Sequence, residues 1–350
     1  MGGEGRKDAS RLRYTDLVMN DRAQPRVLVT FDADQRLREI VGGVLGDVAA
    51  PAYLGDVGDR QRVAALRQAD VLLAALPDEE LRGAEWAALS GVRFMQIVSA
   101  GVEHVPFARL PGTLPVAGNA GAYAEPMAEH IVALILALAK RLRAGHEELR
   151  RGLFDQDRPS RELRGATCGI IGLGGVGRAT VPLLRALGMR VLAINSRGVT
   201  DAEVDFIGTL DDLEAVLRGS DVVVISLPLT RHTRGLLGAR ELAWMKPEAI
   251  LVNVARGPIV DEEALYRRLL DQPDFTAGLE VWWDEPFSDG RFRTGHPFVD
   301  LPNVLGCPHN SGIVPGWLEV GVRRAGENVR RFIVGEPVLG LAEHEDYIDA

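Results

Sequence analysis

The sequence predicts an α/β protein built from two parallel-sheet units. Short apolar runs of strand type alternate with amphipathic helical segments along most of the chain. This alternation is typical of βαβ units whose sheets are covered on both faces. A chain of 350 residues, 46% of them apolar, is also long and apolar enough for two domains with separate cores.

The first unit is predicted from residue 25 to about residue 120. Its strands are short apolar runs, and helical spacing marks the segments between them. The predicted elements are strands at 26–31, 70–75 and 92–98 and helices at 35–45 and 79–89. Residues 1–24 are polar and charged, so we expect a flexible N-terminus without a secretion signal.

A long helix is predicted next, from Glu125 to about Arg151. Pro126 suits the first helical turn, because its missing N–H would be unpaired there in any case. Apolar residues then recur at helical spacing on one face. They are Met127, Ile131, Leu134, Ile135 and Leu138.

The second unit is predicted from about residue 121 to residue 310. Its six apolar runs are expected to be strands at 167–172, 190–194, 221–226, 249–253, 275–279 and 303–306. Helices are expected to begin at Gly175 and near Leu210, Gly238 and Asp261. A last amphipathic helix is predicted at 316–334.

Composition excludes several classes of protein. The net charge of −9 argues against a nucleic-acid surface, which is normally basic. The longest apolar run, 131–139, is too short to cross a bilayer, so no membrane span is expected. Two cysteines form no disulfide framework, which favours the cytoplasm. No histidine and cysteine cluster has the sequence spacing of a metal site, so we predict no metal.

A glycine-rich turn, GLGGVG at residues 172–177, follows an apolar strand and opens a helix. In a βαβ unit this pattern is the fingerprint of a dinucleotide site, with the phosphates at the helix N-terminus. The predicted contacts are Gly172, Gly174, Gly175, Val176 and Gly177. The alternative interpretation is a tight turn that serves packing alone.

The end of the next strand indicates which dinucleotide is bound. An NAD site normally has an acid here for the ribose hydroxyls, but this chain has Asn195, Ser196 and Arg197, and no acid before Asp201. Asparagine does not repel a 2′-phosphate, and the serine and arginine can bind one. We therefore predict NADP as the preferred cofactor, with NAD as the second choice. An arginine exposed on a turn remains the alternative interpretation.

Three residues downstream complete a catalytic pattern. Arg256 follows the strand at 249–253, Glu285 precedes a proline, and His309 follows Pro308 in a loop after the last strand. A guanidinium can bind a carboxylate through two parallel hydrogen bonds. An imidazole oriented by a carboxylate can transfer a proton. Together they suit the interconversion of a 2-keto acid and a 2-hydroxy acid.

These motifs resemble the D-isomer-specific 2-hydroxyacid dehydrogenase family over roughly residues 26–335. The resemblance implies two Rossmann-like domains with a cleft between them: a dinucleotide-binding domain at 121–310 and a discontinuous, flavodoxin-like substrate domain at 25–120 plus 311–350. It also implies a homodimer, and hydride transfer between NADP(H) and a small 2-keto or 2-hydroxy acid. Glyoxylate and hydroxypyruvate are the favoured substrates.

The resemblance assigns roles residue by residue. His309 would transfer the proton, Glu285 would hold the imidazole, and Arg256 would bind the substrate carboxylate. The backbone N–H groups of Ala100, Gly101 and Val102 would bind the same carboxylate. Leu76 would line the same cleft. The remaining cofactor contacts implied are Pro228, Thr233, Val254, Ala255 and Glu280. Family members with a Ser-Arg pair like that at 196–197 tend to use NADP.

Some interpretations stay open. Glu280 departs from the family, which usually has Asp there, and Trp282 and Trp283 are bulky for this segment. Core or interface packing is favoured for the tryptophans over a wall of the substrate pocket or of the domain interface. A non-enzymatic dinucleotide-sensing protein of the same fold is the main alternative function. A formate dehydrogenase is disfavoured, because those enzymes have glutamine at the position of Glu285.

Overall fold

The structure is a computed structural model that describes residues 24–286 and 290–348. These residues form two compact units. Unit 1 contains the described residues of Met1–Ala122 together with Gly316–Ile348, and unit 2 contains those of Tyr123–Pro315. The prediction of a flexible segment at 1–24 concerns residues that, apart from Gln24, lie outside the described part of the chain.

Unit 1 contains a six-stranded sheet. Its strands are β1 (Val27–Val29), β2 (Pro51–Tyr53), β3 (Val71–Ala74), β4 (Phe94–Ile97), β5 (Val116–Ala117) and β13 (Leu341–Ala342). Their spatial order is β13-β5-β4-β3-β1-β2, and every pairing is parallel except that of β13 with β5. The order 2-1-3-4-5 of the first five strands is the flavodoxin-like order. The predicted flavodoxin-like fold of this unit is therefore confirmed.

Helices cover both faces of the unit 1 sheet. They are α1 (Gln35–Leu45), α2 (Arg62–Gln68), α3 (Pro77–Glu80), α10 (Trp317–Ile333) and α11 (His344–Tyr347). Helices α1 and α10 pack together against one face, where the rings of Phe94 and Phe332 stack 4.7 Å apart. The other face packs against α2 and the 3-10 segment Gly83–Gly91.

Unit 2 contains a seven-stranded, wholly parallel sheet. Its strands are β6 (Thr167–Ile171), β7 (Arg190–Ile194), β8 (Phe206–Gly208), β9 (Val222–Ile225), β10 (Ile250–Asn253), β11 (Thr276–Leu279) and β12 (Val304–Gly306). The order is β12-β11-β10-β9-β6-β7-β8. Every residue of β6, β9 and β10 is buried, which explains why these strands are continuously apolar in sequence.

The helices of unit 2 also lie on both faces of its sheet. They are α4 (Ala124–Ala139), α5 (Leu142–Arg150), α6 (Gly175–Ala186), α7 (Leu213–Gly219), α8 (Ala239–Trp244) and α9 (Glu262–Asp271). Helices α4 and α6 contribute to one core, and α7, α8 and α9 contribute to the other. The predicted class of two parallel-sheet α/β units is thus confirmed.

Several predicted elements differ from the structure. The helix expected at 79–89 is instead the short α3 and a 3-10 segment, Gly83–Gly91. The long helix expected from Glu125 to Arg151 is interrupted at Arg141, whose φ of 53° is left-handed, so α4 and α5 are separate helices. Strands β2, β5, β8 and β13 and helices α2 and α11 were not predicted. Within the described ranges, no helix combines the length and apolar character needed to cross a membrane.

Candidate active site

The predicted site residues of unit 2 lie in the loops that follow the carboxyl ends of its strands and in the first turn of α6. Because all seven strands are parallel, those ends share one edge of the sheet. Ligands of open α/β sheets bind at this edge, near the point where the strand order reverses. Here that point is β6, from which the chain continues to β7 on one side and later to β9 on the other. The loops follow β6, β7, β9, β10, β11 and β12.

The turn between β6 and α6 has the shape that a dinucleotide phosphate requires. Gly172 has a φ of 105°, and a Cβ atom there would lie 2.6 Å from the backbone nitrogen of Leu227. A Cβ on Gly177 would lie 2.8 Å from the carbonyl oxygen of Gly172. A Cβ on Gly174, by contrast, would meet no atom within 4 Å. The turn is therefore tightly packed at Gly172 and Gly177 but has free space at Gly174. This space lies next to the N-terminus of α6, which fits a pyrophosphate.

The loop after β7 is held by its own asparagine. The Asn195 side chain accepts hydrogen bonds from the N–H groups of Arg197 (2.9 Å) and Gly198 (2.7 Å), and it donates to the Val199 carbonyl. Ser196 and Arg197 are exposed. Asp201, the first acid after the strand, forms an ion pair with Arg178 of α6. Asn195 therefore shapes the loop that presents Arg197, and the first carboxylate after the strand is paired with another cation.

The loops after β9 and β10 place the other predicted cofactor contacts. Thr233 donates to the Pro228 carbonyl (2.7 Å) and accepts from the Thr230 N–H (2.8 Å), which fixes the loop after β9. Val254 and Ala255 are buried directly after β10, and the Val254 N–H donates to the carbonyl oxygen of Ile225. These two loops therefore belong to adjacent strands at the same edge.

Arg256 lies on a turn fixed by buried contacts. The amide of Asn253 donates to the Arg256 carbonyl (2.9 Å), and its oxygen accepts from the Ala255 N–H (3.0 Å). The guanidinium of Arg256 donates to the Ala255 carbonyl at 2.6 Å. A Cβ on Gly257 would collide with the backbone of Trp282. The Arg256 turn therefore lies directly against the segment that leads to Glu285.

The structure brings Glu285 and His309 together as predicted. One carboxylate oxygen of Glu285 accepts a hydrogen bond from the Trp282 N–H at 2.9 Å, and the other lies 2.7 Å from Nδ1 of His309. The exposed fraction is 10% for the Glu285 side chain and 30% for His309. Glu285 is thus oriented by its own turn and can fix the imidazole ring, while the ring remains accessible.

Glu280 has a partner that the sequence did not indicate. Its Oε2 atom lies 3.0 Å from Nε2 of His130, on α4. Burial opposes ionisation of Glu280, but His130 and hydrogen bonds from Ser311 outweigh burial, so the pKa of Glu280 lies below its usual value. The contact with Cys307, and to a smaller extent the contact with Glu280, raises the pKa of His130 to about 10. The two side chains therefore form an ion pair at neutral pH.

The same two side chains and Cys307 form a cluster of possible metal donors. Nε2 of His130, Oε2 of Glu280 and Sγ of Cys307 lie within 4.8 Å of one another. The three residues are far apart in the chain, so their sequence spacing could not indicate this cluster. Our prediction of no metal rested on spacing alone and stays untested.

A cavity borders the Glu285–His309 pair. Its volume is about 410 Å³, and apolar side chains make up much of its wall, including Trp282, Phe292 and Val299. Trp282 is nevertheless buried, stacks edge-on against Phe292 and donates to the Cys307 carbonyl at 2.8 Å. Trp283 is partly buried, with its ring stacked on Phe298. The expected packing role of both tryptophans agrees with these contacts, and Phe292 was not predicted.

The predicted substrate residues of unit 1 follow β3 and β4. Leu76 is largely exposed, and its N–H donates to Glu80 at 2.6 Å. In the loop after β4, the Ser99 hydroxyl donates to the Gly101 carbonyl at 3.0 Å. The N–H groups of Ala100, Gly101 and Val102 donate no hydrogen bond to any other described residue. Such a row of amides can accept an anion.

Comparison with known proteins identifies relatives of the chain. A model of the NAD binding domain of D-isomer specific 2-hydroxyacid dehydrogenases matches residues 132–311. Glycerate dehydrogenase of Methylorubrum extorquens is 35% identical over 60% of this chain, which spans 65% of that protein. Glyoxylate reductase of Thermofilum pendens is 32% identical over 80% of this chain and 83% of its own length.

A solved structure extends the similarity to the fold. It is a D-isomer specific 2-hydroxyacid dehydrogenase from Xanthobacter autotrophicus Py2, crystallised with NADPH and MES. It is 26% identical to this chain, covers 92% of it and 99% of its own length, and superimposes with a TM-score of 0.73. At this identity and coverage the similarity extends beyond the NAD binding domain.

Proposed function

Because the chain belongs to the D-isomer specific 2-hydroxyacid dehydrogenase family, we propose that it interconverts a small 2-keto acid and the corresponding 2-hydroxy acid with NADP(H). The single observation that carries the proposal is the contact of 2.7 Å between Glu285 and Nδ1 of His309. A carboxylate at this distance fixes the ring, so that its other nitrogen can exchange a proton with the substrate oxygen.

Each proposed site residue has its own role in binding the substrate or in transferring the proton. Bound NADPH supplies the hydride for the carbonyl carbon. Arg256 binds the substrate carboxylate, for which a guanidinium offers two parallel donors. His309 donates a proton to the carbonyl oxygen in reduction and takes it back in oxidation. Glu285 holds the imidazolium that protonation creates. Ala100, Gly101 and Val102 contribute backbone N–H groups to the carboxylate, and Leu76 contributes apolar surface.

The glycine turn after β6 and the loop after β7 support the cofactor part of the proposal. The turn is open over Gly174. Asn195 holds the loop that exposes Ser196 and Arg197, and Asp201 is paired with Arg178. A phosphate on the ribose would therefore meet a cation here and no unpaired acid. The remaining cofactor contacts proposed are Gly172, Gly175, Val176, Gly177, Pro228, Thr233, Val254, Ala255 and Glu280.

The substrate is proposed from the names of relatives and from chemistry. The compared proteins are named as enzymes of glycerate and of glyoxylate, so glyoxylate and hydroxypyruvate are the first candidates. We also propose that the two units are the two domains and that the protein works as a homodimer in the cytoplasm. The relatives give no support to the alternative of a non-enzymatic sensor.

The experiment is a panel of 2-keto acids assayed with NADPH and with NADH, followed by the absorbance of the reduced nicotinamide. We expect turnover of glyoxylate or hydroxypyruvate, faster with NADPH, and its loss in His309→Gln. Formate is included with the oxidised cofactors as a control. Absence of turnover with every 2-keto acid would contradict the proposal, as would oxidation of formate alone.

A further inference from the structure

The backbone of His309 has an unfavourable conformation. Its φ is 53°, in the left-handed region, and it is one of two non-glycine residues with a positive φ in the described part of the chain. A side chain at such a φ crowds the backbone, so the conformation persists only where neighbouring groups hold it. The position of the imidazole depends on this backbone and therefore on whatever holds it.

Glu280 supplies the contacts that hold the loop. Its main-chain carbonyl accepts a hydrogen bond from the His309 N–H at 3.0 Å. Its side-chain Oε1 accepts a second from the Ser311 N–H at 2.6 Å. Glu280 thus accepts hydrogen bonds from the backbone N–H groups of His309 and Ser311, on either side of Asn310. Since Glu280 directly follows β11, which pairs with β10 and β12 on its two sides, it ties the His309 loop to the sheet.

The side chain of Glu280 depends in turn on His130. It is completely buried, with an exposed fraction of 0%. A buried carboxylate without a cation is costly, and it would take up a proton or turn towards solvent. His130 is the cation that the structure provides, with Nε2 3.0 Å from Oε2 of Glu280. The N–H is not aligned with that oxygen as in a regular hydrogen bond, so charge is the main component of the contact.

We infer that His130 is a positioning residue for His309, acting through Glu280 and the Ser311 amide. This inference rests on the proposed role of His309 in proton transfer. The chain of contacts runs from α4, through a buried carboxylate, to the backbone of the loop. His130 need not touch the substrate. Its charge keeps Glu280 ionised and in place, and Glu280 keeps the imidazole at the distance that Glu285 requires.

The cluster of His130, Glu280 and Cys307 could instead bind a metal ion. Their donor atoms lie within 4.8 Å of one another, and zinc binds nitrogen, sulfur and oxygen donors at about 2.0–2.3 Å. The ion pair accounts for His130 and Glu280 without a metal, and the Ser311 amide occupies the other carboxylate oxygen. We therefore favour positioning and treat metal binding as an outcome that the experiment can detect.

The experiment compares His130→Gln, Glu280→Gln and the double variant with the full-length protein. Loss of the cation should displace the loop, and a displacement of about 1 Å can cost on the order of a hundredfold in rate. We expect His130→Gln to lower kcat at least about tenfold and to change the Kd for NADPH less than about twofold. In the Glu280→Gln background the same change should have little further effect, because no buried charge remains to be paired. His146→Gln, on the exposed surface of α5, is the matched control.

A second readout needs neither cofactor nor substrate. In the cofactor-free protein, amide hydrogen exchange measured by mass spectrometry should be faster in His130→Gln for peptides containing residues 307–313. Peptides from β6 and β9 should be unchanged. If wild-type protein turns over no 2-keto acid, the proposed function fails, and the exchange result still decides whether His130 holds the loop.

Three results would overturn the inference. The first is unchanged kcat and unchanged exchange at 307–313 in His130→Gln. The second is faster exchange throughout unit 2 with a matching fall in Tm, which would make His130 a general stabilising residue. The third is an equal loss of activity when the wild-type protein is treated with EDTA, with recovery on adding Zn²⁺, which would make the cluster a metal site.

Discussion

At the scale of single residues, Asn195 and Arg197 in the loop after β7 have different roles, although the sequence predicted both as cofactor contacts. Asn195 bonds the backbone of its own turn, so its side chain shapes the loop. Arg197 is exposed, and no described residue pairs with its guanidinium. The preference for a 2′-phosphate therefore depends on Arg197, with Ser196 beside it.

Arg197→Ala should raise the KM for NADPH and leave the KM for NADH nearly unchanged. A charge-assisted hydrogen bond is worth about 1.5–3 kcal/mol, which corresponds to roughly ten- to a hundredfold in affinity. Initial rates with both cofactors provide the measurement. Arg218→Ala, which removes an exposed arginine paired with Glu214 on α7, is the control. A wild-type protein that is more efficient with NADH than with NADPH would contradict the assignment.

His309→Gln should collapse turnover while the Kd for NADPH stays within about twofold. The lost proton transfer is worth roughly 10² to 10⁴ in rate, whereas the ring is proposed to act on the substrate oxygen and not on the cofactor. Steady-state kinetics and fluorescence titration of NADPH are the measurements. Retention of more than about a tenth of the wild-type kcat would exclude a proton-transfer role of that size.

The sequence indicated Glu285 and His309, because each lies in a short motif that resembles a known family. It did not indicate that His130 pairs with Glu280. These two residues are 150 positions apart, and the pairing depends on α4 crossing the sheet beside β11, which no local pattern specifies. Phe292 was also missed, because it is an isolated aromatic residue in an irregular segment and no local pattern places it beside Trp282.

At the scale of elements, the close approach of two loops provides a test of the site's construction. Gly257→Ala would place a methyl group against the backbone of Trp282. Overpacking of this kind costs about 1–3 kcal/mol, and here it would also displace the Arg256 turn. We expect a lower Tm and a higher KM for the 2-keto acid. Thermal unfolding and kinetics measure the two effects.

Gly145→Ala is the matched control for that substitution. Gly145 lies within α5, and no atom lies within 4 Å of an added Cβ. Alanine in a helix interior is favoured over glycine by roughly 0.5–1 kcal/mol, so Tm should hold or rise. An equal fall of Tm in both variants would show that the contact with Trp282 has no special effect.

Periodicity predicted the long elements well and the short ones badly. Helix α10 and the buried strands of unit 2 carry clear patterns and were predicted. Strands β5 and β13 have two residues each, which is too short for any period to emerge. Strands β2 and β8 have three residues each and are mostly half-buried or exposed, so they lack the apolar run that marks β1 and β12. The break between α4 and α5 falls at Arg141, where no glycine or proline marks a left-handed residue.

At the scale of the whole molecule, an apolar surface available to a second copy lies in and just after α5. The apolar face of the long predicted helix would suit a subunit interface, but Ile131, Leu134 and Ile135 are buried within unit 2 itself. A group of exposed apolar residues lies further on, in and just after α5. They are Leu142, Leu149, Leu153 and Phe154, with exposed fractions of 60%, 57%, 57% and 75%. These residues are the better candidates for contact with a second copy.

We expect the protein to be a homodimer by light scattering at micromolar concentration. The double substitution Leu149→Glu and Phe154→Glu should yield monomers, because two buried charges in a small symmetric interface are costly. Leu270→Glu, at an exposed leucine of α9 (52% exposed), should leave the mass unchanged. A wild-type monomer, or a dimer in the double variant, would rule out this interface.

The last helix has a consequence for the order in which the protein is made. Phe332 stacks on Phe94, and Asn328 donates to Gln96 at 2.6 Å, so the core of unit 1 includes residues synthesised after all of unit 2. Unit 2 is one continuous stretch and can fold as soon as it leaves the ribosome, since domains fold as units during synthesis. Unit 1 cannot complete its core before α10 is made, and until then α1 covers only part of the sheet face against which both helices pack. A nascent chain stalled with residues 1–315 outside the ribosome and α10 still inside the exit tunnel should therefore be protease-resistant over 123–315 and cleaved within 24–122.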